Sequence, residues 1–129
     1  MKKVIIETEK TSKPIGPFSK AIKIISPKTL IFVSGHTART KDGNLIKGDI
    51  KAQTKQIFEN LKNVLEAGGA TLTDVVKMTT FLKNMEDYSG YNEIRRQYFE
   101  SNFPASSTFA VKQLADDNML VEIEIIAAL

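Results

Sequence analysis

Two carboxylates set two residues apart, Glu122 and Glu124, alternate with Val121, Ile123 and Ile125. In an extended strand that spacing puts both acids on one face and the branched apolar residues on the other. The remaining reactive inventory is short. The 129-residue chain has no cysteine, which excludes disulfides, thiolate zinc sites, iron–sulfur clusters and a cysteine nucleophile. Its single histidine, His36, cannot close a metal site alone, so no metal is expected. Lys and Arg total 18 against 15 Asp and Glu, a net charge of +3. The lysines are scattered, and the densest basic pair, Arg95-Arg96, reads as a solvated helix face. A nucleic-acid groove needs a denser stripe, so nucleic acid is not an expected partner.

The elements that must position these residues follow from periodicity. The length suits one domain, 1–129, long enough for a core without staples. Val4 to Thr8 reads as a strand, and Pro14, Gly16 and Pro17 make the following stretch a loop. Ser19 to Ile25 and Thr29 to Ser34 are apolar runs around Ser26-Pro27-Lys28, a hairpin pattern. Asp49 is placed to cap a helix whose apolar face is Ile50, Ile57, Phe58, Leu61, Val64 and Leu65, stopped by Gly68-Gly69. Val75 to Leu82 is a strand and Asp87 to Glu100 a second helix, with Tyr91, Ile94, Tyr98 and Phe99 on its apolar side. Ser106 to Val111 and Met119 to Ala127 complete the order β-β-β-α-β-α-β-β. Two helices cover one face of such a sheet, so the other face is expected to be buried by further copies. No segment has the length of a membrane span and no signal peptide is recognisable. A cytoplasmic protein is expected.

An ordered series of fragments runs from Ile15 to Ala127: Ile15-Gly16-Pro17-Phe18-Ser19, Phe32-Val33-Ser34-Gly35, Gly48-Asp49-Ile50, Gln53-Thr54, Val64-Leu65-Glu66-Ala67-Gly68-Gly69, Asn92-Glu93, Phe103-Pro104-Ala105 and Glu122-Ile123-Glu124. In order and spacing they resemble the RidA family, also called YjgF or L-PSP. The resemblance implies an α+β, chorismate-mutase-like fold and a homotrimer with a ligand cleft at each subunit interface. It implies hydrolysis of reactive enamines and imines, 2-imino acids becoming 2-keto acids and ammonia, with no cofactor. The implied ligand is a 2-imino or 2-keto acid. A second activity described in the family is endoribonuclease.

Carried over residue by residue, Ser34 and Gly35 match the cleft segment after the third strand. Asn92 matches a cleft asparagine, and Glu122 matches the glutamate that positions the hydrolytic water. Phe18 stands for a frequent tyrosine, keeping the aromatic wall without its hydroxyl. Thr108 stands where many members have cysteine. The main departure is Ser106, in place of the arginine that grips the substrate carboxylate through paired charged hydrogen bonds. Lys112 lies roughly 20 Å further along the strand, and nothing in the sequence selects Lys20, Arg39 or Arg95 as a substitute. Ser106→Arg is therefore expected to raise activity. A non-catalytic trimer that binds a small metabolite is the alternative reading, and an L-PSP-type endoribonuclease the second.

Overall fold

A computed structural model describes residues 1–129. The strands are β1 (Lys2–Ile6), β2 (Ala21–Ile25), β3 (Leu30–His36), β4 (Val75–Leu82), β5 (Ala105–Ala110) and β6 (Val121–Ala128); the helices are α1 (Ile50–Ala67) and α2 (Tyr88–Tyr98). Short 3-10 turns at Leu72–Asp74 and Met85–Asp87 precede β4 and α2. The element order is the expected one, with no end displaced by more than two residues.

The first pairing differs from expectation. β2 and β3 do not form a hairpin: β1 and β2 pair as an antiparallel ribbon, while β3 joins β6 in a sheet of order β3-β6-β4-β5. The Ser26-Pro27-Lys28 segment is a crossing between sheets. Ser26 takes φ of 52°, and the Lys28 and Thr29 amides bond to the Leu129 carbonyl at 2.9 and 2.8 Å, so the crossing is held by the end of β6. The ribbon rejoins the sheet at its other edge, through a parallel bridge between Ser19 and Ala105.

Helix α1 starts where Asp49 accepts the Ala52 amide at 2.8 Å and stops at Gly68, followed by Gly69 at φ of 79°, a backbone conformation open to glycine at little cost. Ile57, Phe58, Leu61 and Leu65 are buried from this helix, whereas Val64 lies on its outer side, 39% exposed. α1 packs on α2 through Phe58, whose ring stacks on Tyr98 at 4.9 Å and meets Phe99 edge-on at 5.8 Å. The Tyr98 hydroxyl donates to Glu59 at 2.8 Å. Desolvation, helped by that carboxylate, pushes the phenol up to about 12. The tie is therefore intact below the ordinary tyrosine range and is lost as pH rises through the raised value.

Both helices lie against the sheet face that carries Val33, Met78, Leu82, Ile123 and Ile125, all in one core cluster. The opposite face leaves Phe32 71% and Phe109 44% exposed. No helix is long and apolar enough to cross a membrane.

Gln53, fully buried on α1, ties two loops to the helix. Its amide donates to the carbonyls of Ile46 at 3.0 Å and Asn118 at 2.7 Å, and its Oε1 accepts the Leu120 amide at 2.9 Å. Gln53→Leu keeps the volume but removes the partners of three part-buried backbone groups. It should lower unfolding free energy by about 3 kcal/mol, near one per lost partner, read as a lower urea midpoint.

Candidate functional site

Side-chain parity decides which candidate residues share a surface. β5 runs parallel to β4 with Ser106 opposite Met78 and Thr108 opposite Thr80. β6 runs antiparallel to β4 with Ile125 opposite Met78 and Ile123 opposite Thr80. Met78, Thr80, Ile123 and Ile125 are buried under the helices, so Ser106 and Thr108 face the helix layer too. Glu122 lies opposite Phe81 and Phe81 opposite Phe109, so these three occupy the open face.

The first group gathers at the β5 edge. Phe18 is placed by the Ser19 amide bond to the Pro104 carbonyl, 3.0 Å, and by the Ser19 hydroxyl, which donates to the Phe103 carbonyl. Gly16 lies close against this ring: a Cβ there would come within 3.2 Å of Phe18 Cε1 and 3.4 Å of the Tyr88 hydroxyl oxygen. Asn92 projects from α2 on the same rim. Beneath Ser106 lies Arg95, 1% exposed. Its Nη1 donates to Ser106 Oγ at 2.9 Å and its Nη2 to Asn92 Oδ1 at 2.7 Å. Its guanidinium carbon stands 4.9 Å from the centre of the Tyr91 ring. Tyr91 is buried in turn, its hydroxyl 2.6 Å from Thr80 Oγ1. Burial pushes the Tyr91 phenol up, against the opposing pull of Arg95 and of the Thr80 and Thr108 hydroxyls.

Arg95 thus corrects the reading of Arg95-Arg96 as a solvated face. Arg96 is exposed, but Arg95 is the largest fully buried side chain of the fold. The ion pairs of the chain are Lys51–Glu93 and Lys62–Glu59, so no carboxylate neutralises it, and its Nε has no partner. A buried charge in that state costs several kcal/mol; hydrogen bonds to neutral oxygens and the Tyr91 ring face offset part of it.

The second group lies on the open face toward the other edge. A register shift between Val33 and His36 is a β-bulge, which kinks the strand at Ser34 and Gly35. A Cβ on Gly35 would overlap the Glu122 carboxylate, coming within 3.0 Å of its Cδ, so only glycine leaves this acid its place. His36 turns back, its Nδ1 donating to the Ser34 carbonyl at 2.7 Å. No cluster of three or more His, Asp or Glu capable of holding a metal ion exists in the fold.

One copy of the chain therefore does not bring the seven candidates together. Phe18, Asn92, Ser106 and Thr108 lie on the helix side of the β5 edge, and Ser34, Gly35 and Glu122 on the open face. From β5 to β3 are three strand spacings, roughly 14 Å, with the sheet between. Sequence reasoning missed Arg95, Tyr91 and Tyr88 as members of the first group. The signal for Arg95 was helical phase: it follows Tyr91 by four residues and precedes Tyr98 by three, on the buried stripe.

The mixed sheet with both helices on one face is the chorismate-mutase-like α+β arrangement. The family model described as Endoribonuclease L-PSP matches residues 8–129. A RutC family protein of Pyrococcus abyssi is 45% identical over 98% of both chains. The 2-iminobutanoate/2-iminopropanoate deaminase of Dermatophagoides farinae is 38% identical over 98% of this chain and 97% of its own. The solved structure of the Rid protein YyfB of Yersinia pestis superposes with a TM-score of 0.89 at 31% identity, covering all of both chains. The chain belongs to the Rid family, also called L-PSP.

The position of Arg95 reverses one expectation. An arginine at position 106 would put an apolar methylene where Ser106 Oγ now accepts from Arg95 Nη1 at 2.9 Å and bring a second positive charge close to a buried one. Ser106→Arg should destabilise the fold by about 2 kcal/mol or more in urea unfolding, and should not raise activity.

Proposed function

We propose that this protein is a cytoplasmic deaminase of 2-imino acids, acting in a cleft between copies of the chain assembled as a trimer. The observation that carries the reading is the Glu122 carboxylate seated against Gly35, in the space that a side chain there would take, which puts a proton acceptor on the open face beside the β3 bulge. The names of relatives such as the mite deaminase support it, as does the division of the candidates between two surfaces. A second copy docking its β5 edge against the open face would set Ser106 of one chain facing Glu122 of another and cover Phe32 and Phe109. That assembly is the one the family resemblance implies.

In such a cleft the substrate is a protonated imine beside a carboxylate. Glu122 accepts a proton from water as the water oxygen bonds to the imine carbon and the C=N π pair moves to nitrogen. Glu122 returns its proton to the amine nitrogen of the resulting carbinolamine; as ammonia leaves with the C–N bonding pair, the hydroxyl oxygen forms the new carbonyl and its proton passes to Glu122, which gives it up to the ammonia or to water. Ser34 and Gly35 line the Glu122 side, and Phe18, Asn92, Ser106 and Thr108 the other. No step calls for a metal or cofactor. The carboxylate of a 2-imino acid suits a rim backed by the buried Arg95 guanidinium, whereas RNA binding would call for exposed cations along a groove.

Two measurements test the reading. Light scattering should give about three times the 14.4 kDa chain mass, and a monomer at micromolar concentration overturns it. On 2-iminobutanoate generated in the assay by a pyridoxal-phosphate dehydratase, Glu122→Gln should lower kcat by about 10²–10⁴ with the assembly intact. A native protein that leaves the imine's lifetime unchanged would favour the non-catalytic binding trimer.

A further inference from the structure

Arg95 is a buried guanidinium without a countercharge, and it is aimed at the residue where the expected anchor is missing. Of its five N–H bonds, two are used, on Ser106 Oγ and Asn92 Oδ1, and Nε has no acceptor. Ser106 is half-buried on the rim. Its Oγ already accepts from Arg95, so its own hydroxyl hydrogen must point to another partner. A hydroxyl that accepts from a cation is polarised by it and becomes a stronger donor.

We propose that Ser106 and Arg95 together form the carboxylate anchor of this cleft: Ser106 donates to the ligand carboxylate, and Arg95 beneath it supplies the charge. Arg95 acts as a positioning residue. Its Nη1 fixes the Ser106 rotamer, its Nη2 fixes Asn92 beside it, and its field favours an anion above the pair. The positive charge has moved from the strand to the helix, one layer deeper, and is presented through a short side chain. The ligand class is a small 2-oxo or 2-imino carboxylate. This deepens the reading of the cleft as a 2-imino acid site and rests on it.

The test is binding of 2-oxobutanoate, with 2-oxobutanamide as its uncharged counterpart, followed by NMR titration of the assembled native protein and of Arg95→Gln. The variant should bind 2-oxobutanoate about tenfold more weakly or worse, the value of a charge-assisted hydrogen bond. Its affinity for the amide and its assembled mass should be unchanged, and Arg95→Lys should recover part of the loss. In turnover, KM for the imino acid should rise more than kcat falls. Unchanged 2-oxobutanoate affinity in Arg95→Gln overturns the proposal, as does a native protein that does not bind 2-oxobutanoate at millimolar concentration. Loss of the assembly in Arg95→Gln also overturns it, because the countercharge would then be a carboxylate of the neighbouring copy. If Arg95→Gln does not fold, Ser106→Ala decides: it removes one hydroxyl, and retained affinity for 2-oxobutanoate sinks the pair while a comparable loss supports it. Arg95-dependent binding without any imine hydrolysis leaves the anchor standing and removes the deaminase reading.

Discussion

Four strands and two helices leave one face of a sheet uncovered, and most of the molecule follows from that shortage. The helices cover the face where Val33, Met78, Ile123 and Ile125 lie, and the strand period of two then sends Phe32, Phe81, Phe109, Glu122 and Glu124 to the other. Burying an apolar face is worth roughly 25 cal/mol for each Å² removed from water, so the open face favours association. Glu122 sits within that face, its carboxylate packed against Gly35 beside the β3 bulge. The surface whose burial would favour association and the surface that holds the acid are thus one surface.

The helical layer has its own conflict. α2 places Arg95 on its buried stripe with Tyr91, Ile94 and Tyr98, where a hydrophobic side chain would cost nothing to desolvate. The guanidinium is retained over an aromatic ring, bonded to two neutral oxygens and to no acid. Structural arginines at such depth are usually paired. An arginine left without its countercharge has the character of a group whose partner arrives from outside, and Ser106 is the way out for its field.

Much of this was legible in the sequence. The Asp49 cap, the Gly68-Gly69 stop and the Val75–Leu82 strand depend on local chemistry, and the structure has them where they were expected. The alternation of Val121 to Ile125 correctly divided the acids from the core. The expected β2–β3 hairpin does not form because β2 turns back to the preceding β1 while β3 pairs with β6 at the far end of the chain; the Ser26-Pro27-Lys28 signal does not encode that non-local pairing. Arg95 failed for a different reason. Charge was allowed to outweigh phase, although spacing from Tyr91 and Tyr98 placed it inside. The split of Phe18, Asn92, Ser106 and Thr108 from Ser34, Gly35 and Glu122 needed the β4 register, which no single strand reveals.

In the proposed assembly that split would have a genetic consequence. A lesion at Ser106 damages a chain's edge and leaves its open face whole; a lesion at Glu122 does the reverse. When clefts form between copies, a chain carrying one lesion can lend its sound surface to a chain carrying the other. Two inactive alleles expressed together would then rebuild a fraction of complete clefts, whereas two alleles altered in the same half would rebuild none.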